Sequence, residues 1–216
     1  MNLLIIGAPG AGKGTVSESI IEDFKLTHVS TGNMLREAVK NETVVGLKAQ
    51  EYMNRGELVP DEIIHDIIVE RFSMDDMDAG FLFDGYPRTK AQAIDLDEIL
   101  KQVDKKVDCV INLDIEDKQL IERITGRRLC PTCGEIYNIY SEPSKVEGIC
   151  DKCGDSLIQR KDDNLESLSV RLSEYHKNTQ PVIEYYDQFN IVRHVDASQS
   201  IEDVYSSVKQ ILEGLC

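Results

Sequence analysis

Two groups of residues in this chain have the types and spacing to do chemistry. The first is Gly7-Ala8-Pro9-Gly10-Ala11-Gly12-Lys13-Gly14-Thr15, which matches G-x-x-x-x-G-K from Gly7 to Lys13. Glycines at 10, 12 and 14 let successive backbone N–H groups turn inward around an anion, and Lys13 can reach terminal phosphate oxygens. The hydroxyl residue comes one position late, as Thr15 after Gly14, which weakens the case for a direct hydroxyl ligand to magnesium. The second group is the pair of knuckles Cys130-x-x-Cys133 and Cys150-x-x-Cys153, with sixteen residues between Cys133 and Cys150. Four thiolates brought together this way form a closed tetrahedron suited to structural zinc, a donor set that iron also accepts. Redox dithiols and unliganded thiols are the competing readings. Cys109 and Cys216 read as ordinary thiols. His28, His65, His176 and His194 have no metal-binding spacing and no assigned role.

The elements that must hold these groups follow from the apolar pattern. Leu3 to Ile6 is a short buried strand that feeds the glycine loop, and Val16, Ile20, Ile21 and Phe24 give the following segment a helical period. A strand is predicted at His28–Ser30, with Thr31 as N-cap of a helix over 32–40 and a further helix over 44–54. Pro60-Asp61 opens another helix, striped by Ile63, Ile64, Ile67 and Ile68. Strands are predicted at Phe81–Phe83, Val107–Leu113 and Ile191–Val195. Helices fill 90–102, 118–125 and 200–212, and one long helix is predicted over 164–186. Between 126 and 163 the composition becomes loop-rich, with strand-like alternation at Ile136, Asn138 and Tyr140. Strands alternating with helices predict an α/β fold with a parallel sheet.

The 216 residues carry a net charge of -15, so a nucleic-acid partner would need a local basic stripe that is absent from the sequence. No run of about 18 apolar residues is present. The first residues have no basic segment and too short an apolar run for a signal peptide, which predicts a cytoplasmic protein without a membrane partner.

Further motifs give the chain a family resemblance. The loop GAPGAGKGT is similar to that of nucleoside monophosphate kinases. Ser30-Thr31-Gly32-Asn33-Met34-Leu35-Arg36, Gly56-Glu57-Leu58-Val59-Pro60-Asp61 and Asp84-Gly85-Tyr86-Pro87-Arg88-Thr89 with Gln92 resemble motifs of adenylate kinases of the long-lid bacterial type. So do Thr125-Gly126-Arg127-Arg128 and Arg160-Lys161-Asp162-Asp163-Asn164, with Arg171 beyond.

The resemblance implies a P-loop core of five parallel strands over 1–29, 60–125 and 164–216. It also implies an AMP-binding region over 30–59 and a zinc-bearing lid over 126–163. It puts ATP against Gly10, Ala11, Gly12, Lys13, Gly14 and Thr15, with Arg123, Arg127, Ile136, Tyr137 and Gln199. It puts AMP against Thr31, Arg36, Glu57, Leu58, Val59, Gly85, Tyr86, Pro87, Arg88 and Gln92. Lys13, Arg88, Arg123, Arg127, Arg160 and Arg171 would surround the transferring phosphates, Arg160 and Arg171 reaching the AMP side as well. Asp84 would hold magnesium through its waters, and Cys130, Cys133, Cys150 and Cys153 would hold zinc.

Two positions depart from the family pattern. Asn33 stands where an aspartate is usual and removes a negative charge beside the site. Tyr86 stands where phenylalanine is more common, at what is expected to be a partly exposed site.

The implied activity is reversible transfer of a phosphoryl group from ATP to AMP, giving two ADP, by a monomer. The acceptor phosphate is already ionised, so cations are needed and a general base is not. Six of the ten arginines fall on the motifs. Arg55, Arg71 and Arg193 read instead as surface ion-pair partners, and Arg128 stays open. Three alternatives remain at this level: a kinase with UMP, CMP or GMP as acceptor, a zinc-ribbon nucleic-acid-binding ATPase, and an inactive nucleotide sensor.

Overall fold

Residues 1–72 and 77–215 are described by a computed structural model. Cys216 lies outside the described residues. The first strand, β1 (Asn2–Gly7), is buried at every position and lies at the centre of a five-stranded parallel sheet. Strands β2 (Thr27–Ser30) and β3 (Phe81–Asp84) stand on one side of it, and β4 (Cys109–Asp114) and β7 (Val192–Asp196) on the other. Leu3 is level with Leu82 in β3 and with Cys109 in β4. The chain therefore changes direction across β1. In an open parallel sheet, a ligand cleft forms at the carboxyl ends of the strands beside such a switch point.

Alternation along β1 sends its side chains to two cores. Leu3 and Ile5 pack with Val16 and Ile20 of α1 (Lys13–Phe24) and with Val204 and Val208 of α9 (Ile201–Glu213). Leu4 and Ile6 join the opposite core, formed with α4 (Asp61–Phe72), α5 (Lys90–Gln102) and α8 (Gln180–Asp187).

After β2 the chain makes a hairpin of two helices, α2 (Thr31–Lys40) and α3 (Val44–Arg55). Their close crossing requires Gly46, because a Cβ there would lie 2.1 Å from the Ala38 carbonyl oxygen. The N-cap of α2 is Ser30 and not Thr31, which is already helical. The Thr31 hydroxyl donates to the Gly85 carbonyl at 2.9 Å, tying the start of α2 to the end of the neighbouring strand β3.

Helix α6 (Asp117–Thr125) leads to a small antiparallel pair, β5 (Arg127–Leu129) and β6 (Ile136–Asn138), with Leu129 opposite Ile136. The long helix expected over 164–186 is interrupted. It runs as α7 (Leu165–Glu174), a π turn at Tyr175–Thr179, and then α8. Pro181 is the reason: it has no N–H to bond to the carbonyl four residues back, so the ladder shifts and the Gln180 N–H bonds Tyr175 five residues back.

Candidate functional site

The glycine loop joins the end of β1 to the start of α1. Gly12 forms the N-cap of α1 with φ 96, in the region where side chains are strained. Lys13 folds back over the loop and donates to the carbonyls of Gly7 at 2.7 Å and Ala8 at 3.0 Å. Above the loop opens a cleft of about 790 Å³. Its walls include Gly10 to Thr15, Arg123 and Arg127 from α6 and β5, Ile136 and Tyr137 from β6, and Gln199 before α9. Every residue assigned from the sequence to the ATP side lines this cleft.

A second cavity of about 350 Å³ lies beside it. Thr31, Arg36, Glu57, Leu58, Val59, Gly85, Tyr86 and Gln92 line it, and four arginines (Arg36, Arg88, Arg160 and Arg171) line both spaces. Its apolar wall is Leu35 and Val39 of α2, Met53 of α3 and Ile64 of α4. Pro87 lies beside it, lining a smaller space of about 80 Å³ that shares Leu58, Gly85, Arg88 and Arg171 with this cavity. The partial exposure expected of Tyr86 is corrected, since it is 2% exposed. Its ring packs 5.7 Å from that of Phe83, and its hydroxyl donates to the Gln92 carbonyl at 3.3 Å.

Several site residues are held from behind. The Gln92 amide accepts from the Arg88 N–H at 2.7 Å and donates to Asp61 at 2.5 Å. Arg88 Nε donates to the Gly85 carbonyl at 2.7 Å, and the Thr179 hydroxyl donates to the Arg88 carbonyl at 3.0 Å. Arg127 makes a two-pronged pair with the fully buried Asp163 carboxylate, with Nε to Oδ2 at 2.9 Å. Arg171 pairs with Asp162 at 3.0 Å. Both aspartates stand in the Arg160–Asn164 motif, but the pairing of Arg127 with Asp163 spans 36 residues and has no local spacing to mark it. Arg36 donates to Asn33 at 2.5 Å. Outside the site, Arg55 pairs with Glu57 at 2.8 Å as expected. Arg193 donates to the carbonyls of Asn190 at 3.0 Å and Val192 at 2.8 Å.

The cluster is cationic and crowded. Burial pushes Lys13 down to about 8; Asp84 opposes the shift, and Arg88, Arg171 and Arg127 add to it. Burial also pushes Arg160 down to about 10, with Arg127 and Arg36 contributing, and Arg171 to about 10 against the pull of Asp162. All remain charged at neutral pH. Arg160 Nε and His28 Nε2 are buried without a hydrogen-bond partner among the described residues. His28, which the sequence left without a role, lines the larger cleft beside Asp84. The Asp84 carboxylate is an oxygen donor beside Lys13 and Arg88, which fits a hydrated hard cation brought in with phosphate.

The four knuckle sulfurs lie within 4.8 Å of one another. Cys130 and Cys153 Sγ are 3.4 Å apart, and Cys133 and Cys150 Sγ 3.5 Å. A zinc tetrahedron with bonds of about 2.3 Å places its sulfurs about 3.8 Å apart, so the set fits zinc with little movement. The two knuckles repeat one backbone pattern. Gly134 N–H donates to Cys130 and Gly154 N–H to Cys150, at 3.0 and 2.9 Å. No helix among the described residues is long and apolar enough to cross a membrane.

Comparison with known proteins agrees with this geometry. The adenylate kinase family profile matches residues 5–191. The chain is similar to the adenylate kinase of Carboxydothermus hydrogenoformans, at 50% identity over 99% of this chain and 100% of that protein. It is similar to the adenylate kinase of Bacillus subtilis at 49%, over 100% of this chain and 99% of the relative, and to that of Staphylococcus aureus at 46% over the whole of both. With a P-loop, two cavities sharing an arginine cluster and end-to-end likeness to these relatives, the chain belongs to the adenylate kinase family.

Proposed function

We propose that the enzyme transfers the γ-phosphoryl group of ATP to AMP, reversibly, giving two ADP. The observation that carries this reading is the junction of the two cavities at Arg36, Arg88, Arg160 and Arg171. One cavity leads to a loop built for a polyphosphate, and the other has an apolar wall sized for a base. At their junction, two mutually repelling phosphates can be held in line.

In this reading the loop N–H groups and Lys13 bind the β- and γ-phosphates of ATP. Arg123 and Arg127 cover them from the lid side. Arg36 and Arg88 hold the AMP phosphate, and Arg160 and Arg171 span both. Planar guanidinium forks suit paired phosphate oxygens, and the catalysis is positioning and charge stabilisation. Thr31 and Gln92 lie on the acceptor side, with Gln92 setting the backbone of Arg88. Asp84 would hold magnesium through its waters; when bound, the ion offsets charge on the phosphates. Cys130, Cys133, Cys150 and Cys153 would hold zinc in a purely structural role.

Residues 30–59 and 126–163 act as closing modules on the core, keeping water from the transferring group; adenylate kinases are themselves a standard example of such lid closure. The enzyme works as a monomer in the cytoplasm on free nucleotides, and its charge of -15 supports the lack of a nucleic-acid partner. The test is a coupled assay of ADP formation from magnesium ATP and AMP, run beside UMP, CMP and GMP. AMP is expected to be the fastest acceptor. Faster turnover with UMP or CMP reassigns the acceptor, and no ADP from any pair removes the reading.

A further inference from the structure

The backbone of Arg88 is unusual within the site. Neither its N–H nor its carbonyl has a backbone partner among the described residues; both are met by side chains. Gln92 of α5 takes the N–H, and Thr179 gives its hydroxyl to the carbonyl from 91 residues away. Thr179 is the last residue of the π turn and is 8% exposed. In a regular helix a threonine hydroxyl would bond back to its own preceding turn. Here the turn carries one extra residue, and each helical residue is worth about 100° of rotation. Without it, Thr179 would swing away from the Arg88 loop relative to α7, which carries Arg171.

We propose that the π turn imposed by Pro181 is a positioning device, and that Thr179 is a positioning residue which fixes Arg88 at the junction of the two cavities. It touches neither nucleotide. It acts by closing the second of two side-chain bonds on the Arg88 backbone, so that the guanidinium, tied at Nε to Gly85, has one place to go. Helix α7 and the turn thereby set two arginines of the cluster together, Arg171 directly and Arg88 through Thr179. This rests on the phosphoryl-transfer reading above.

The test compares Thr179→Val, which keeps the shape and removes the donor, with Thr179→Ala and with Thr179→Ser, which keeps the hydroxyl. For each, kcat, the KM for AMP, the KM for ATP and the Tm are measured. The expected result for Val and Ala is a kcat lower by about tenfold, within the roughly hundredfold that a 1 Å misplacement can cost. The KM for AMP rises severalfold, the KM for ATP stays within about twofold because the P-loop is untouched, and Ser recovers most of the loss. Unchanged parameters in Val and Ala overturn the proposal. So does a loss shared by Val, Ala and Ser that follows Tm and affects ATP and AMP alike, which marks packing. A wild-type protein that makes no ADP from ATP and AMP overturns the underlying reading, and this inference with it.

Discussion

Lys13 carries its charge at a cost that a bound phosphate removes. Burial lowers its ammonium pKa to about 8, so above that pH a growing share of the free protein has a neutral Lys13. Polyphosphate beside it favours the charged form and raises the pKa. Between the free and bound values, binding must therefore take up a proton, and ATP affinity falls as pH rises past about 8. Calorimetry near pH 9 in two buffers of different ionisation enthalpy is expected to show proton uptake that Lys13→Gln lacks; equal uptake in both proteins would sink the idea. Lys13 and the four cysteines were legible because each belongs to a short motif whose spacing fixes its geometry. The pairing of Asp163 with Arg127, the bond from Thr179 to Arg88 and the burial of Tyr86 were not. Their partners come from distant elements, and no local pattern announces a bond formed across 36 or 91 residues.

Among the elements, the segment 126–163 depends on something other than a core. From 126 to 163 no aliphatic or aromatic side chain is buried, while Cys130 and Cys150 are. Ile139, Tyr140, Val146, Ile149 and Ile158 are all exposed. Hydrophobic burial thus contributes little there, whereas a structural zinc site can supply about 10–16 kcal/mol of folding free energy. Stripping the metal with a strong chelator is expected to open 126–163 to protease and to abolish turnover, since Arg127 and Arg160 lose their frame. Far-UV circular dichroism should stay largely native, because the five-stranded sheet and its helices have two buried apolar cores that include none of the four knuckle cysteines. Metal-free protein with wild-type proteolysis and activity would contradict this. The knuckles and the loop-rich stretch were readable from composition, and most helices from their stripes. The break at Tyr175–Thr179 was missed although Pro181 signals it, because the apolar period continues through a single inserted residue.

At the scale of the whole molecule, an acidic protein encloses a cationic interior. Acidic residues outnumber basic ones by 39 to 24, yet six of ten arginines gather around one cleft. Mutual repulsion there is visible in Arg160, whose downward shift is due partly to Arg127 and Arg36. Ligands that bring phosphate to the junction relieve this repulsion in the folded state alone, and so stabilise it by mass action. At about a hundredfold excess over Kd the gain is about 2.7 kcal/mol. A domain of this size shifts by about 2–4 °C per kcal/mol, so Tm is expected to rise by roughly 5–10 °C with ADP. Adenosine separates the contributions, since it can fill the apolar wall beside Leu35 and Met53 but carries no charge to the arginines. If charge relief governs the coupling of cleft to fold, adenosine at the same concentration moves Tm far less than ADP, and added salt narrows the gap. An equal shift from both would mean that the base pocket holds the molecule together and that the arginines are bystanders to its stability.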